Sequence, residues 1–99
     1  MTLGQKQRAF SLMVAKLITF IYERKHEISF GDAYAKTGHK EGSNHYNRLA
    51  IDLNFFFNEV YISDGNKLGW AHDYWDTLGG APRIQGDMNH FSLKHEGRW

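Results

Sequence analysis

Two histidines and two aspartates stand in a pattern that can hold a metal ion and supply a base. His45 and Asp52 lie seven residues apart, and Asp87 precedes His90 by three. A catalytic zinc site takes three protein ligands and leaves one position for water. His45, Asp52 and His90 would supply two nitrogens and one oxygen. Zinc lowers the pKa of its bound water to about 7, so zinc-bound hydroxide would be the nucleophile. Asp87 would act as general base, taking that proton and delivering it to the leaving group.

Elements must bring these groups together. In a straight strand, residues seven apart would be separated by roughly 23 Å. The chain must therefore turn after His45, and Tyr46-Asn47-Arg48 is the place for it. Leu49, Ile51, Leu53 and Phe55 then alternate with Ala50, Asp52 and Asn54. That pattern predicts a half-buried strand with Asp52 opposite the apolar face. Gly86 to Asn89 would turn into a last strand, His90 to Leu93, so that Asp87 and His90 reach one site. Spacing alone fits equally well with Asp52 and His90 as ordinary solvent-facing residues.

The rest of the chain supplies the scaffold. Thr2 and Gln5 make a capping-box pair. Phe10, Met13, Val14, Leu17, Ile18 and Ile21 follow at helical spacing, predicting a helix to about Arg24 that packs on a core. Ile28 to Tyr34 reads as the first strand. Asp32 at its end is a second-shell candidate to orient a ligand histidine, or a simple strand terminator. Ala35 to Asn44 is a polar, glycine-containing loop. His39 within it reads as exposed, with substrate contact as the alternative. Asn58-Glu59 suits a hairpin turn into Val60 to Ile62, and Ser63 to Asn66 is a second turn. A helix is expected over about Lys67 to Leu78, its apolar side formed by Trp70, Ala71, Tyr74, Trp75 and Leu78. Gly79-Gly80 would end it. His72 should face away from that side, and His26 should be exposed. Trp99 would pack as a plug, and His95 on the charged tail is a further candidate for substrate contact.

Composition narrows the classes. Ninety-nine residues imply one domain, residues 1–99. Twelve basic and eleven acidic side chains leave a net charge of +1, which gives no indication of a nucleic-acid partner. The chain has no cysteine, so histidine and carboxylate are its strong metal ligands. Thr2 to Arg8 is too polar for a signal peptide, and no stretch is long enough for membrane insertion. A cytoplasmic start is expected. The two-histidine, one-carboxylate site of iron oxygenases is disfavoured, because its usual His-x-Asp spacing is missing.

Several strings carry a resemblance that spans nearly the whole chain. They are Gly31-Asp32-Ala33-Tyr34, Ser43-x-His45 with Arg48 to Asn54, Trp75-x-x-Leu78-Gly79-Gly80, and Asp87-x-x-His90-Phe91-Ser92-Leu93. Together they resemble the zinc D-alanyl-D-alanine carboxypeptidase and L-alanyl-D-glutamate endopeptidase family (VanY-like peptidases), in particular its small phage endolysin-like members. The resemblance implies a small α+β domain of the Hedgehog/DD-peptidase type, with helices packed on a mainly antiparallel sheet. It implies Zn2+ on His45, Asp52 and His90, Asp87 as base, and a peptidoglycan stem peptide as substrate. Ser43, Arg48 and Tyr34 are the substrate-binding candidates that go with it. A monomer is expected, acting at the bacterial cell wall after release by a separate factor.

Two departures from that pattern stand out. Members usually carry an arginine after the Gly-Asp-Ala-Tyr string, where this chain has Ala35. The chain is also short between Tyr34 and His45 and around Ala81 to Gly86. Lys36, Lys40 and Arg48 are candidates to replace the cation, a large term where it stabilises an oxyanion; Arg83 reads as an exposed loop arginine, with that role as its alternative. The alternative is a weak or inactive wall-binding descendant that keeps the fold.

Overall fold

The computed structural model describes all of residues 1–99 as a small α+β domain. The first helix, α1, spans Leu3–Glu23. Thr2 caps it: its side chain accepts from the Gln5 amide, and the Gln5 side chain accepts from the Thr2 amide. This reciprocal pair satisfies two of the donors that a helix N-terminus leaves open. The buried side of α1 is Phe10, Val14, Leu17 and Ile21, the three- and four-residue spacing of one helix face.

Four strands follow: β1 (Glu27–Phe30), β2 (Ala50–Phe57), β3 (Val60–Tyr61) and β4 (His90–Ser92). All pairings are antiparallel and all involve β2. The Asp52 amide donates to Asp32 on the β1 side, whereas the Leu53 and Ile62 amides join β2 to β4 and β3. Successive residues of a strand point their backbone groups to opposite edges. One edge of β2 therefore takes β1, and the other takes β3 on its C-terminal half and β4 on its N-terminal half. Asn58 and Glu59, both at positive φ (49° and 68°), make the tight turn between β2 and β3. That backbone twist suits a two-residue hairpin.

Leu49, Ile51, Leu53 and Phe55 are each at most 5% exposed and face the helices. They form one core with the α1 stripe, Leu68, Ala71, Trp75, Met88 and Phe91. Burying these side chains contributes roughly 1.5–3 kcal/mol each for the larger ones. The second helix, α2, is Gly69–Thr77, preceded by a 3₁₀ turn over Gly65–Leu68. The Trp75 indole donates to the Ser92 carbonyl at 3.0 Å, tying α2 to β4. Gly80 permits this: a Cβ there would lie 2.0 Å from the indole nitrogen.

The structure corrects four expectations. β1 ends at Phe30 rather than Tyr34, although Gly31 and Asp32 still exchange backbone bonds with Asp52. The helical segment expected from Lys67 begins as a 3₁₀ turn. His72 is not outside the helix face but fully buried, because the buried stripe is Leu68, Ala71, His72 and Trp75. Its Nε2 donates to the Met88 carbonyl at 2.6 Å, and its ring stacks on Phe91. His26 is half-buried between Phe57 and Trp70 rather than exposed.

Candidate metal centre

The site lies on the face of β2 opposite the helices. Asp52 projects there because it alternates with Ile51 and Leu53. His90 is its direct partner across the β2–β4 ladder. The Leu53 amide bonds to the Asn89 carbonyl, which makes Asp52–His90 a non-hydrogen-bonded pair. Side chains of such pairs stand closer together than those of the alternative kind. His90 Nδ1 lies 3.4 Å from Asp52 Oδ1.

His45 arrives from a different element. Ser43 to Arg48 forms a single 3₁₀ turn over Asn44–Asn47. The Ser43 hydroxyl accepts from the His45 amide at 3.3 Å, and Arg48 ends the turn in the left-handed conformation. This is the reversal required between His45 and Asp52. It sends His45 into the protein, 2% exposed, with Nε2 3.3 Å from the same Asp52 oxygen. Asp87 stands on the turn before β4, where its carbonyl accepts from the His90 amide. Its carboxylate is half-exposed and reaches to 3.9 Å from His90 Nδ1.

Asp52 Oδ1, between His45 Nε2 and His90 Nδ1, is buried without a hydrogen-bond partner; the far ring nitrogens His45 Nδ1 and His90 Nε2 are orphaned too, as is Nδ1 of the core histidine His72. Orphaned polar atoms of this kind are costly and call for an explanation. Burial works to raise the Asp52 pKa, but the imidazoles of His45 and His90 outweigh it. They hold the carboxyl well below the ordinary carboxylate range, and the anionic form is the one that ligates metals.

His39 enters the site, which the sequence reading assigned to an exposed loop. Its ring stacks on His45 with centroids 4.0 Å apart and planes 18° from parallel. Its Nε2 lies 2.8 Å from Asp32 Oδ2, so Asp32 orients His39 and not His45 or His90. His39, His45 and Asp52 each offer a ligand atom within 4.8 Å of the others, a group that can hold a metal ion. The local sequence signal for His39 was its place six residues before His45, with an acid seven residues before it.

His39, Lys40, Ser43, His45, Asp52, Ile84, Asp87, His90 and Trp99 line one cavity of about 290 Å³. Tyr34 and Arg48 are not on it. The Arg48 guanidinium lies over the Tyr34 ring, 4.0 Å from its centroid. Arg83 is held by Asp73 and Asp76 at 2.7 and 3.1 Å on the surface of α2. His95 is also elsewhere, beside the Lys6 ammonium. A larger groove of about 580 Å³ lies by the β2–β3 hairpin. It gathers no converging set of ligands, so size is a poor guide to the chemistry here. No helix is long and apolar enough to cross a membrane.

No family model, no curated protein and no solved structure matches the chain. Geometry and chemistry therefore carry the functional reading.

Proposed function

We propose that this chain is a zinc-dependent peptidase of peptidoglycan stem peptides. In this reading it is a small endolysin-like relative of the D-alanyl-D-alanine carboxypeptidases and L-alanyl-D-glutamate endopeptidases that its motifs resemble. One observation carries the reading: two imidazole nitrogens meet a single carboxylate oxygen at 3.3 and 3.4 Å, without hydrogen bonds to it, in a cavity that also holds Asp87. Neighbouring ligands around tetrahedral zinc stand roughly 3.3–3.5 Å apart, given bonds of about 2.0–2.2 Å.

The ring planes favour His90 over His39 as the third ligand. An imidazole offers its lone pair in the ring plane. The His45 and His90 planes cross at 70°, with centroids 5.2 Å apart, so a rotation of the His90 ring would let both lone pairs meet one ion, although the group already within 4.8 Å is His39, His45 and Asp52. The stacked rings of His39 and His45 are nearly parallel. An ion bound in the plane of one would lie well out of the plane of the other. We therefore assign zinc to His45, Asp52 and His90, and His39 to the wall that packs on a ligand.

Zinc held by His45, Asp52 and His90 would supply a Lewis acid able to acidify water and polarise a carbonyl. The remaining roles belong to the chain. Ser43 fixes the turn that aims His45. Asp52 is kept anionic by its two imidazoles. Asp87, exposed on the cavity rim, takes a proton from the attacking water and returns it to the leaving amine.

The test is metal content paired with release of amino groups from purified peptidoglycan. The expected result is about one zinc per chain and chelator-sensitive release. A second reading, a wall-binding descendant with little turnover, is favoured by the lack of any arginine among the cavity residues. Zinc without release would select it. Protein that takes up no zinc when supplied with it would overturn the peptidase reading.

A further inference from the structure

We infer that His39 and Asp32 hold a second divalent metal ion beside the first, with Asp52 shared between the two. The inference deepens the reading of the same centre and rests on its metal assignment, not on peptide hydrolysis. Two imidazole–carboxylate pairs stand side by side. His39 Nε2 lies 2.8 Å from Asp32 Oδ2, and His45 Nε2 lies 3.3 Å from Asp52 Oδ1. The two rings are stacked, with centroids 4.0 Å apart and planes 18° from parallel. Each ring can hold an ion only near its own plane. Near-parallel planes about 4 Å apart therefore cannot share one ion, but they can hold two. The ions of two-metal sites stand about 3.5–4 Å apart. Ligand atoms of His39, His45 and Asp52 all lie within 4.8 Å of one another, so one carboxylate reaches both positions. Asp52 Oδ1 faces His45 and His90, which leaves its other oxygen to the second ion.

The fold seats the second pair through backbone contacts. The Asp52 amide donates to the Asp32 carbonyl at 2.9 Å, so the two carboxylates come from directly bonded residues. The Gly31 amide donates to the Asp52 carbonyl at 2.8 Å. A Cβ on Gly31 would lie 3.1 Å from Asp52 Cβ, so glycine keeps open the side to which Asp52 projects. His39 is clamped by Tyr46: the His39 amide donates to the Tyr46 hydroxyl at 2.9 Å, and that hydroxyl donates to the His39 carbonyl. Tyr46 directly follows His45, so the turn that aims the first ligand also fixes the ring stacked on it. The Asp32 side chain is 59% exposed and leaves the remaining positions of an ion to water. One imidazole with carboxylate and water selects a divalent transition ion. With two ligands of its own and one shared, the second ion binds more weakly than the first and is taken up from excess metal.

The experiment titrates the chelator-stripped full chain with Co2+, a spin-bearing ion of the same divalent series as zinc. Calorimetry counts the ions, and electron paramagnetic resonance reads how close they lie. Two binding steps are expected. The resonance signal at two equivalents should fall below twice that at one, because ions sharing a carboxylate couple magnetically. Asp32→Asn and His39→Gln should each weaken the second step at least about tenfold, and the first by no more than about tenfold. His95→Gln, which removes an imidazole beside Lys6, should leave both steps unchanged. A single step in the wild type, or a second step that survives intact in both variants, overturns the second site. A signal that doubles with the second ion does so too, because it places that ion away from the first, and this readout needs no variant. Peptidoglycan turnover is followed separately with zinc. Two coupled ions without turnover overturn the peptidase reading and leave the second site standing; turnover with a single ion does the reverse. No uptake of metal overturns both.

Discussion

Two kinds of buried histidine lie in this small domain, and they differ in what surrounds the ring. His72 is fully buried against Phe91, with one nitrogen satisfied by a backbone carbonyl. Desolvation lowers its pKa despite that hydrogen bond, so the neutral ring is what the core accommodates. His45 and His90 are nearly as buried, yet each aims a nitrogen at a carboxylate oxygen that has no hydrogen-bond partner. The core histidine is held by packing and a carbonyl. The other two are assembled around a shared anion on the opposite side of the sheet. Burial alone does not separate a structural histidine from a ligand; the direction of the lone pairs does.

The hardest way to break this contrast is to remove the shared anion or its partners. In Asp52→Ala, His45→Ala or His90→Ala, zinc content should fall below half an equivalent, and peptidoglycan turnover should drop at least about 10³-fold. Full turnover in any of the three would sink the ligand assignment. Asp87→Ala should separate binding from chemistry. It should keep zinc near one equivalent and lose about 10²–10⁴-fold in kcat, the range of a positioned general base. Loss of metal in that variant would make Asp87 a ligand instead.

His72→Ala should do the opposite of these. Removing a packed ring from the core costs about 2–4 kcal/mol, read as a shift in denaturation midpoint, while zinc binding in the folded protein should persist. Its pH dependence has a definite sign. The folded pKa lies below the unfolded value of 6.5, so the unfolded chain binds the proton more readily. The His72 contribution is therefore complete above about pH 6.5 and is lost as pH falls through the folded pKa. The wild type should lose stability over that window relative to a His72→Gln variant. Parallel pH profiles for the two proteins would contradict the assignment.

Much of the scaffold was legible because it follows short-range patterns. The Thr2–Gln5 cap, the α1 stripe and the alternation from Leu49 to Phe55 each depend on residues a turn or a strand apart. Asp52 could be placed on the polar face for the same reason. The apolar side expected for α2 is the side that packs, with Ala71 and Trp75 in the core and Trp70, Tyr74 and Leu78 partly buried against it; what the pattern does not reveal is that the buried face extends to His72. A histidine is neutral enough to enter a core when a carbonyl is available, and that carbonyl, on Met88, is sixteen residues away. His39 was read as exposed because nothing local reveals its stack on His45. Its place depends on Asp32 beyond the end of β1 and on Tyr46, whose hydroxyl accepts from the His39 amide. Arg48 lies off the cavity for a related reason, and Arg83 is the surface arginine its loop position suggests: a cation in a loop is committed by whichever ring or carboxylate the fold brings to it.

His39 offers the smallest and sharpest test, because two ligand sets share His45 and Asp52 and differ only in the third residue. If the in-plane argument holds, His39→Ala removes a ring stacked on a ligand and leaves three ligands in place. Zinc should stay near one equivalent, with affinity weakened by about tenfold, the lower end for residues that orient ligands. Asp32→Ala should give a similar, smaller change, since it acts on zinc only by holding His39 at 2.8 Å. Measured beside His90→Ala, the pair decides the matter. Zinc lost in His39→Ala and kept in His90→Ala would mean that the stacked ring turns to meet the metal, and His90 would become a buried neighbour of the site in the manner of His72.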